Sequence, residues 1–310
     1  MSPHSDDGRH EPVKVTPDNL MEVARDVNNT ILHPDDILLT DKVAIVTGGG
    51  GGIGQGIALG LARFGADVVV LDTEPERCEE TAQAIERLGR RALGIQCSVM
   101  DTAGLVGAID RVADEFGRLD IMVNNVGGIR PGLLLTQPEN SIRRHVEINL
   151  FSAIFGTQAA AKHMVDAGRG GSIVNVSSIE GMRAAPMFAV YAACKAGMNN
   201  FTRTMAVELG EYGIRVNTIA PDHTITPGLR GNRSGPVDPS LWPDSDAEGN
   251  ALLIPLGREG VVSECASTVV WLCSEMSQYV TGITVNVDGG TWASSGWIKQ
   301  PEGGWTLNPS

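Results

Sequence analysis

The chain predicts a single three-layer α/β/α domain on a doubly wound parallel sheet, and three observations carry that prediction. From Lys42 onward, short β-branched runs alternate with longer helical patterns. The turn Thr47-Gly48-Gly49-Gly50-Gly51-Gly52-Ile53-Gly54 follows directly on the first apolar run. Apolar residues make up 42% of the 310, enough to fill one large core.

Taken in order, residues 43–46, 68–71, 92–97, 121–124, 173–176, 214–219 and 284–287 read as strands. Residues 79–88, 105–116, 142–164, 192–210 and 264–274 carry helical periodicity between them. Crossovers in such an alternation are right-handed. No repeat and no second compositional regime interrupts it, so residues 37–292 form one catalytic-sized domain. Residues 1–36 are an amino-terminal extension in which Thr16-Pro17-Asp18 reads as a helix start. Residues 222–255, rich in Pro, Gly, Asp and Ser, read as a mobile lid. Residues 293–310 form a carboxy-terminal extension, where Trp297 and Trp305 suit an anchored tail contacting a neighbouring subunit.

The balance of 24 basic against 37 acidic residues gives a net charge of −13. That argues against nucleic acid and anionic membranes as partners, since both need clustered Lys and Arg. No apolar run approaches the ~20 residues of a membrane span, and no basic segment followed by an apolar one opens the chain. Five cysteines without Cys-x-x-Cys spacing, and six histidines without ligand spacing, fit a reduced, cytoplasmic protein without a metal site.

A glycine turn between strand and helix lets a dinucleotide pyrophosphate approach free backbone N–H groups at the positive end of a helix dipole. Gly48, Gly52, Ile53 and Gly54 are the candidate contacts. Asp72 ends the next strand, where a carboxylate accepts hydrogen bonds from the adenosine ribose hydroxyls and repels a 2′-phosphate. No Lys or Arg lies within the turn or at Thr73, so NAD is expected rather than NADP.

Tyr191 and Lys195 stand four apart in a helical stretch and share one face. A phenol ordinarily titrates near pH 10, and a neighbouring ammonium and a nicotinamide charge would bring it down into the range of a general base. Ser178 follows the strand at 173–176 and can hold a substrate oxygen beside Tyr191. Asn149 can kink its helix and hold a water leading to Lys195. Cys194, without a paired base, reads as a packed thiol.

These residues in this order resemble the short-chain dehydrogenase/reductase family over about residues 38–292. The resemblance rests on Thr47-Gly48…Gly52-x-Gly54, Asn124-Asn125-Val126-Gly127, the tetrad Asn149, Ser178, Tyr191 and Lys195, and Arg215-Val216-Asn217…Ala220-Pro221. The segment Val285-Asn286-Val287-Asp288-Gly289-Gly290 resembles the family's last strand and turn. It implies a Rossmann-type sheet of seven strands, a homotetramer, and proton transfer by Tyr191. It also implies cofactor contacts at Ser98, Val99, Asn125, Gly127, Tyr191, Lys195, Pro221 and Thr226. Three departures bear on the cofactor: Val126 stands where alanine is usual, Ser98 where an acid is usual, and Asp222 where glycine is usual.

The expected activity is NAD-dependent interconversion of a secondary alcohol and its ketone. Leu133, Leu134, Leu135, Met182, Met187, Leu252, Leu253 and Ile254 suggest apolar walls, hence a bulky apolar substrate such as a hydroxysteroid or a 3-hydroxyacyl thioester. The alternatives are a polyol or sugar, dehydration or epimerisation with tightly held NAD, and a non-catalytic NAD-binding sensor. His223 and Asp222 read as lid-loop residues within reach of substrate.

Overall fold

The computed structural model describes residues 32–226, 249, 252–300 and 302–307. The predicted helix start at Thr16 and most of the 222–255 lid fall outside them. The chain divides into two compact units, Met1–Asp36 and Ile37–Ser310. In the first, the Asp36 carboxylate accepts a hydrogen bond from the His33 amide at 2.8 Å.

The second unit is built on strands β1 (Val43–Thr47), β2 (Asp67–Asp72), β3 (Ala92–Gln96), β4 (Ile121–Asn124), β5 (Gly171–Val176) and β6 (Ile214–Pro221). The short strands β7 (Thr224–Ile225) and β8 (Gly260–Val261) follow, then β9 (Thr284–Val287), β10 (Ile298–Lys299) and β11 (Trp305–Thr306). The main sheet runs β3-β2-β1-β4-β5-β6-β9, all parallel. Strand order reverses between β1 and β4, and ligands of doubly wound sheets bind at the carboxyl ends beside such a reversal.

The helices are α1 (Gly52–Arg63), α2 (Pro75–Glu86), α3 (Thr102–Phe116), α4 (Glu139–Val146), α5 (Ser152–Ala167), α6 (Ala189–Glu208), α7 (Val262–Cys273) and α8 (Thr291–Ser294). Strand side chains alternate between two cores, as the period of two requires. Ala44, Val46, Val68, Val70, Val174 and Ile219 pack with Ile57 and Leu61 of α1 and Val269 and Val270 of α7. Ile45, Val69, Leu71, Met122, Ile173 and Val216 pack on the other face with Leu105, Ile109 and Val112 of α3 and Met164 of α5. Helices α1 and α7 touch through Gly56 and Gly60: a Cβ on Gly60 would lie 3.0 Å from that of Ala266.

The helix expected at 142–164 is interrupted. A π turn, Glu147–Phe151, separates α4 from α5 and has the buried Asn149 at its centre. Helix α3 starts earlier than periodicity suggests because Asp101 caps it, its carboxylate accepting from the Gly104 amide at 3.0 Å. The tail folds back as the antiparallel pair β10–β11, and Lys299 Nζ donates to the Pro255 carbonyl at 3.1 Å. Among the described residues no helix is long and apolar enough to cross a membrane.

Candidate active site

The glycine turn leaves β1 with Gly48 at φ +64° and enters α1 through Gly52 at φ +54°, both in the left-handed region that glycine tolerates. Gly54 allows the closest approach. A Cβ there would run into the Gly48 carbonyl and lie 2.5 Å from Asn125 Nδ2. Beneath the turn, Asn125 Nδ2 donates to the Thr47 carbonyl at 2.8 Å and the Gly48 carbonyl at 3.4 Å. Thr47 Oγ1 accepts from the Asn125 and Val126 amides at 2.9 and 3.2 Å. Asn125 therefore braces the turn from below, and the extra methyls of Val126 abut Gly48.

Asp72 reaches the same turn. Its Oδ2 accepts from the Gly50 amide at 3.1 Å and its Oδ1 from the Glu74 amide at 3.2 Å. The carboxylate thus sits where the strand end expects it, oriented by two backbone donors. Sequence reasoning missed Arg77, in the first turn of α2. Its Cβ packs against Gly50 beside Asp72, and its Nη1 would lie 3.7 Å from a Cβ on Gly51. A cation is thus brought to the turn from the helix that follows Asp72. The available signal was its position on the first helical turn after Asp72, facing back over the glycines.

Ser98 is exposed just beyond β3, and the neighbouring Val99 is buried in the second core. Pro221 closes β6 opposite Val287. Thr226 lies over the turn, its Cγ2 3.5 Å from the position of a Cβ on Gly52. The glycine cradle, the oriented Asp72 and the exposed Gly127 match the shape and donor set of a nicotinamide dinucleotide.

At the other end of the cleft, Ser178 follows β5, and its hydroxyl is near enough to the Tyr191 phenol to favour the phenolate. Its Oγ also accepts from the Glu180 amide at 3.2 Å. Lys195 is 2% exposed, and its Nζ donates to the Val176 carbonyl at 2.8 Å. The ammonium lies 5.6 Å from the centre of the Tyr191 ring, and a Cβ on Gly127 would be 3.2 Å from it. Burial lowers the Lys195 pKa to about 8. Burial raises the Tyr191 phenol above its ordinary value, with the Ser178 hydrogen bond opposing and the Glu180 charge adding to the rise. The lowering expected from Lys195 is therefore not supplied by the protein's own groups, because its ammonium points at a backbone carbonyl instead.

Asn149 is fully buried, and its amide is committed to backbone. Oδ1 accepts from the Gly128 amide at 2.9 Å, while Nδ2 donates to the carbonyls of Gly128 and His145 at 2.8 and 3.0 Å. The side chain pins the loop after β4 to the π turn and has no donor left for a water. His145 does the same one turn earlier, with Nδ1 on the Ser141 carbonyl at 2.8 Å and Nε2 accepting from the Arg130 amide at 3.2 Å. Cys194 is buried against the His145 carbonyl, and burial raises its thiol pKa.

A charged group stands beside Ser178 that sequence spacing does not reveal. Arg183 Nη2 lies 2.7 Å from Glu180 and 3.9 Å from Asp222, and His223 lies 3.9 Å from both Asp222 and Glu259. Among the described residues no cluster of His, Cys, Asp or Glu is placed to hold a metal ion.

A family profile described as Enoyl-(Acyl carrier protein) reductase matches residues 48–291. The chain is 38% identical to a 2-dehydro-3-deoxy-D-gluconate 5-dehydrogenase of Escherichia coli, over 81% of this chain and 96% of that one. It is 34% identical to an L-rhamnose 1-dehydrogenase (NAD(P)(+)) of a Sphingomonas species, over 83% and 98%. Among solved structures, a 7α-hydroxysteroid dehydrogenase complexed with NADH and 7-oxo glycochenodeoxycholic acid superimposes with a TM-score of 0.77. That pair shares 32% identity and covers 90% of this chain and 100% of the other. The protein is an oxidoreductase acting on CH–OH groups, and it belongs to the short-chain dehydrogenase/reductase family.

Proposed function

We propose that the protein interconverts a secondary alcohol of a sugar or polyol and its ketone, with NAD as hydride carrier. The observation that carries the chemistry is the neighbouring Ser178 and Tyr191 hydroxyls with the buried Lys195 5.6 Å from the Tyr191 ring centre. Ser178 holds the substrate oxygen, and Tyr191 takes its proton on oxidation or returns one on reduction. When bound, the nicotinamide ring accepts or delivers the hydride and adds a positive charge that favours the phenolate. Gly48, Gly52, Ile53 and Gly54 would receive the pyrophosphate and Asp72 the adenosine ribose. Ser98, Val99, Asn125, Gly127, Lys195, Pro221 and Thr226 would line the rest. Asn149 acts as a brace for the loop at Gly127 and Gly128.

The sugar or polyol reading replaces the bulky apolar one on two grounds. Relatives of this chain include dehydrogenases named for a sugar and for a sugar acid. Glu180 and Arg183, on the segment that follows Ser178, form a charged group with Asp222 after β6. The likeness to a hydroxysteroid dehydrogenase keeps the bulky alcohol as the second reading. The test is NADH formation across neutral sugars, polyols, sugar acids, hydroxysteroids and 3-hydroxyacyl thioesters. A polyol or sugar is expected to give the highest kcat/KM, and a steroid or thioester preference would overturn the reading.

Assembly as a homotetramer is part of the same proposal. A groove of about 550 Å³ between α5 and α6, lined by Ile154, Phe201, Met205 and Tyr212, suits packing against a second copy. Light scattering giving the mass of one chain would overturn it.

A further inference from the structure

The adenosine end of the dinucleotide cradle holds a cation as well as a carboxylate. The two meet over Gly50: a Cβ there would stand 2.6 Å from Arg77 Cβ and 2.8 Å from Asp72 Oδ2. Glycine at this position leaves room for both side chains against the turn. Arg77 is half-buried, and its stem runs along the turn until Nη1 reaches 3.7 Å from the position of a Cβ on Gly51. Helix α2 fixes that direction, since Pro75 opens it and Arg77 completes its first turn.

Asp72 is oriented on the same spot. Its Oδ2 accepts from the Gly50 amide at 3.1 Å and its Oδ1 from the Glu74 amide at 3.2 Å. A carboxylate offers about four acceptor sites, so two backbone donors leave it able to receive ribose hydroxyls. The neighbours add little charge. Glu74 and Glu76 are exposed, where water and salt screen them. On the other side the Cys97 amide donates to the Asp72 carbonyl at 2.8 Å, which lays the end of β3 alongside, and Gln96 and Ser98 there are neutral. Asp72 and Arg77 are thus the half-buried charges at the end of β2 and the first turn of α2. A carboxylate at this point of a dinucleotide site accepts the ribose hydroxyls and repels a 2′-phosphate, whereas a guanidinium donates to a phosphate through two parallel N–H groups.

We propose that Arg77 is a specificity-determining residue that receives the adenosine 2′-phosphate, so that the site takes NADP as a second cofactor behind NAD. Asp72 keeps NAD ahead, because its charge opposes the phosphate that Arg77 attracts. Both cofactors are held without rearrangement of the turn, since the acceptor and the donor already stand on the two sides of Gly50. This inference rests on the nicotinamide-dinucleotide reading above and deepens it.

The test measures binding directly. NADH and NADPH affinities are read by fluorescence titration, and 5′-AMP and 2′,5′-ADP, which differ only in the 2′-phosphate, by calorimetry. All four are measured on the unaltered protein, Arg77→Ala and Arg77→Lys, with thermal unfolding of each preparation. In the unaltered protein NADPH binds about 10- to 100-fold more weakly than NADH, the effect of one opposing charge. Arg77→Ala lowers NADPH and 2′,5′-ADP affinity about 10- to 100-fold further, as for loss of one charge-assisted hydrogen bond, and leaves NADH and 5′-AMP within about twofold. Arg77→Lys, a point charge without the planar fork, falls in between. Added salt weakens NADPH more than NADH, and that difference shrinks in Arg77→Ala. Unchanged NADPH affinity in Arg77→Ala overturns the inference. So does an equal loss on all four ligands, which would assign Arg77 to packing of the turn, or NADPH binding more than about 1,000-fold weaker than NADH in the unaltered protein. If the unaltered protein binds neither dinucleotide, the underlying cofactor reading fails instead.

Discussion

Replacing Asn149 by alanine tests whether the side chain acts as a brace. Three hydrogen bonds vanish: the Gly128 amide loses its acceptor, and the carbonyls of Gly128 and His145 lose their donor. At about 1 kcal/mol net for each bond the loss is about 3 kcal/mol, and water reaching the partly exposed Gly128 recovers some of it. A loss of about 2–3 kcal/mol corresponds to a melting temperature about 4–12 °C lower in a domain of this size. Urea unfolding measures the loss, and amide hydrogen exchange at Gly128 localises it, since its protection should disappear while that of the β5 amides persists. NADH affinity should fall with it, because Gly127 and Gly128 are held at the cleft by this side chain. A stability change below about 0.5 kcal/mol, with Gly128 still protected, would refute the brace and return Asn149 to the role of a water holder.

Gly54→Ala should weaken NADH binding at least tenfold and destabilise by about 1–3 kcal/mol, because its Cβ meets the Gly48 carbonyl. Gly107→Ala, on an exposed face of α3 with nothing within 4 Å, should instead stabilise by about 1 kcal/mol in the same melting assay. Asp72→Ala should raise kcat/KM for NADP relative to NAD by about 10- to 100-fold, and adding Arg77→Ala should remove the gain if Arg77 receives the 2′-phosphate. The Tyr191 phenol, raised by burial, should ionise above pH 10 in the cofactor-free protein, read as the ultraviolet difference between unaltered protein and Tyr191→Phe. A group whose pKa is raised in the fold contributes stability below its unfolded value and loses it as pH rises. Tyr191→Phe should therefore soften alkaline destabilisation above pH 10.

The seven strands of the main sheet were legible because each is a compact β-branched run between turn residues, and the observed spans differ from the expected ones by a few residues at most. Residues 43–46 lengthen only to Thr47, and residues 121–124 and 284–287 coincide with β4 and β9. Helix starts were less legible: α2 begins at Pro75 and α3 at Thr102, where caps and prolines rather than apolar periodicity set the boundary. The break around Asn149 was foreseen as a kink, but its cause, an amide fully bonded to backbone, is a matter of three-dimensional pairing. Arg77 is not legible from the turn or from Thr73, because it is the first turn of α2 that returns it over the glycines. Glu180 with Arg183, Asp222 with His223, and Glu259 lie on three separate segments, so only the fold assembles them. Leu133–135 are exposed, and the Gly132 amide just before them donates to the Met187 carbonyl at 2.9 Å, a pairing that sequence spacing does not show.

The central claim is that Tyr191 moves the proton while other residues hold the cofactor. The most direct measurement is single-turnover NADH formation by Tyr191→Phe on the best substrate, with NADH affinity measured on the same preparation. The account predicts a rate about 100- to 10,000-fold lower, as for loss of a general acid–base, with affinity held within about threefold. A rate within tenfold of the unaltered protein, or a loss that tracks cofactor affinity, would contradict it.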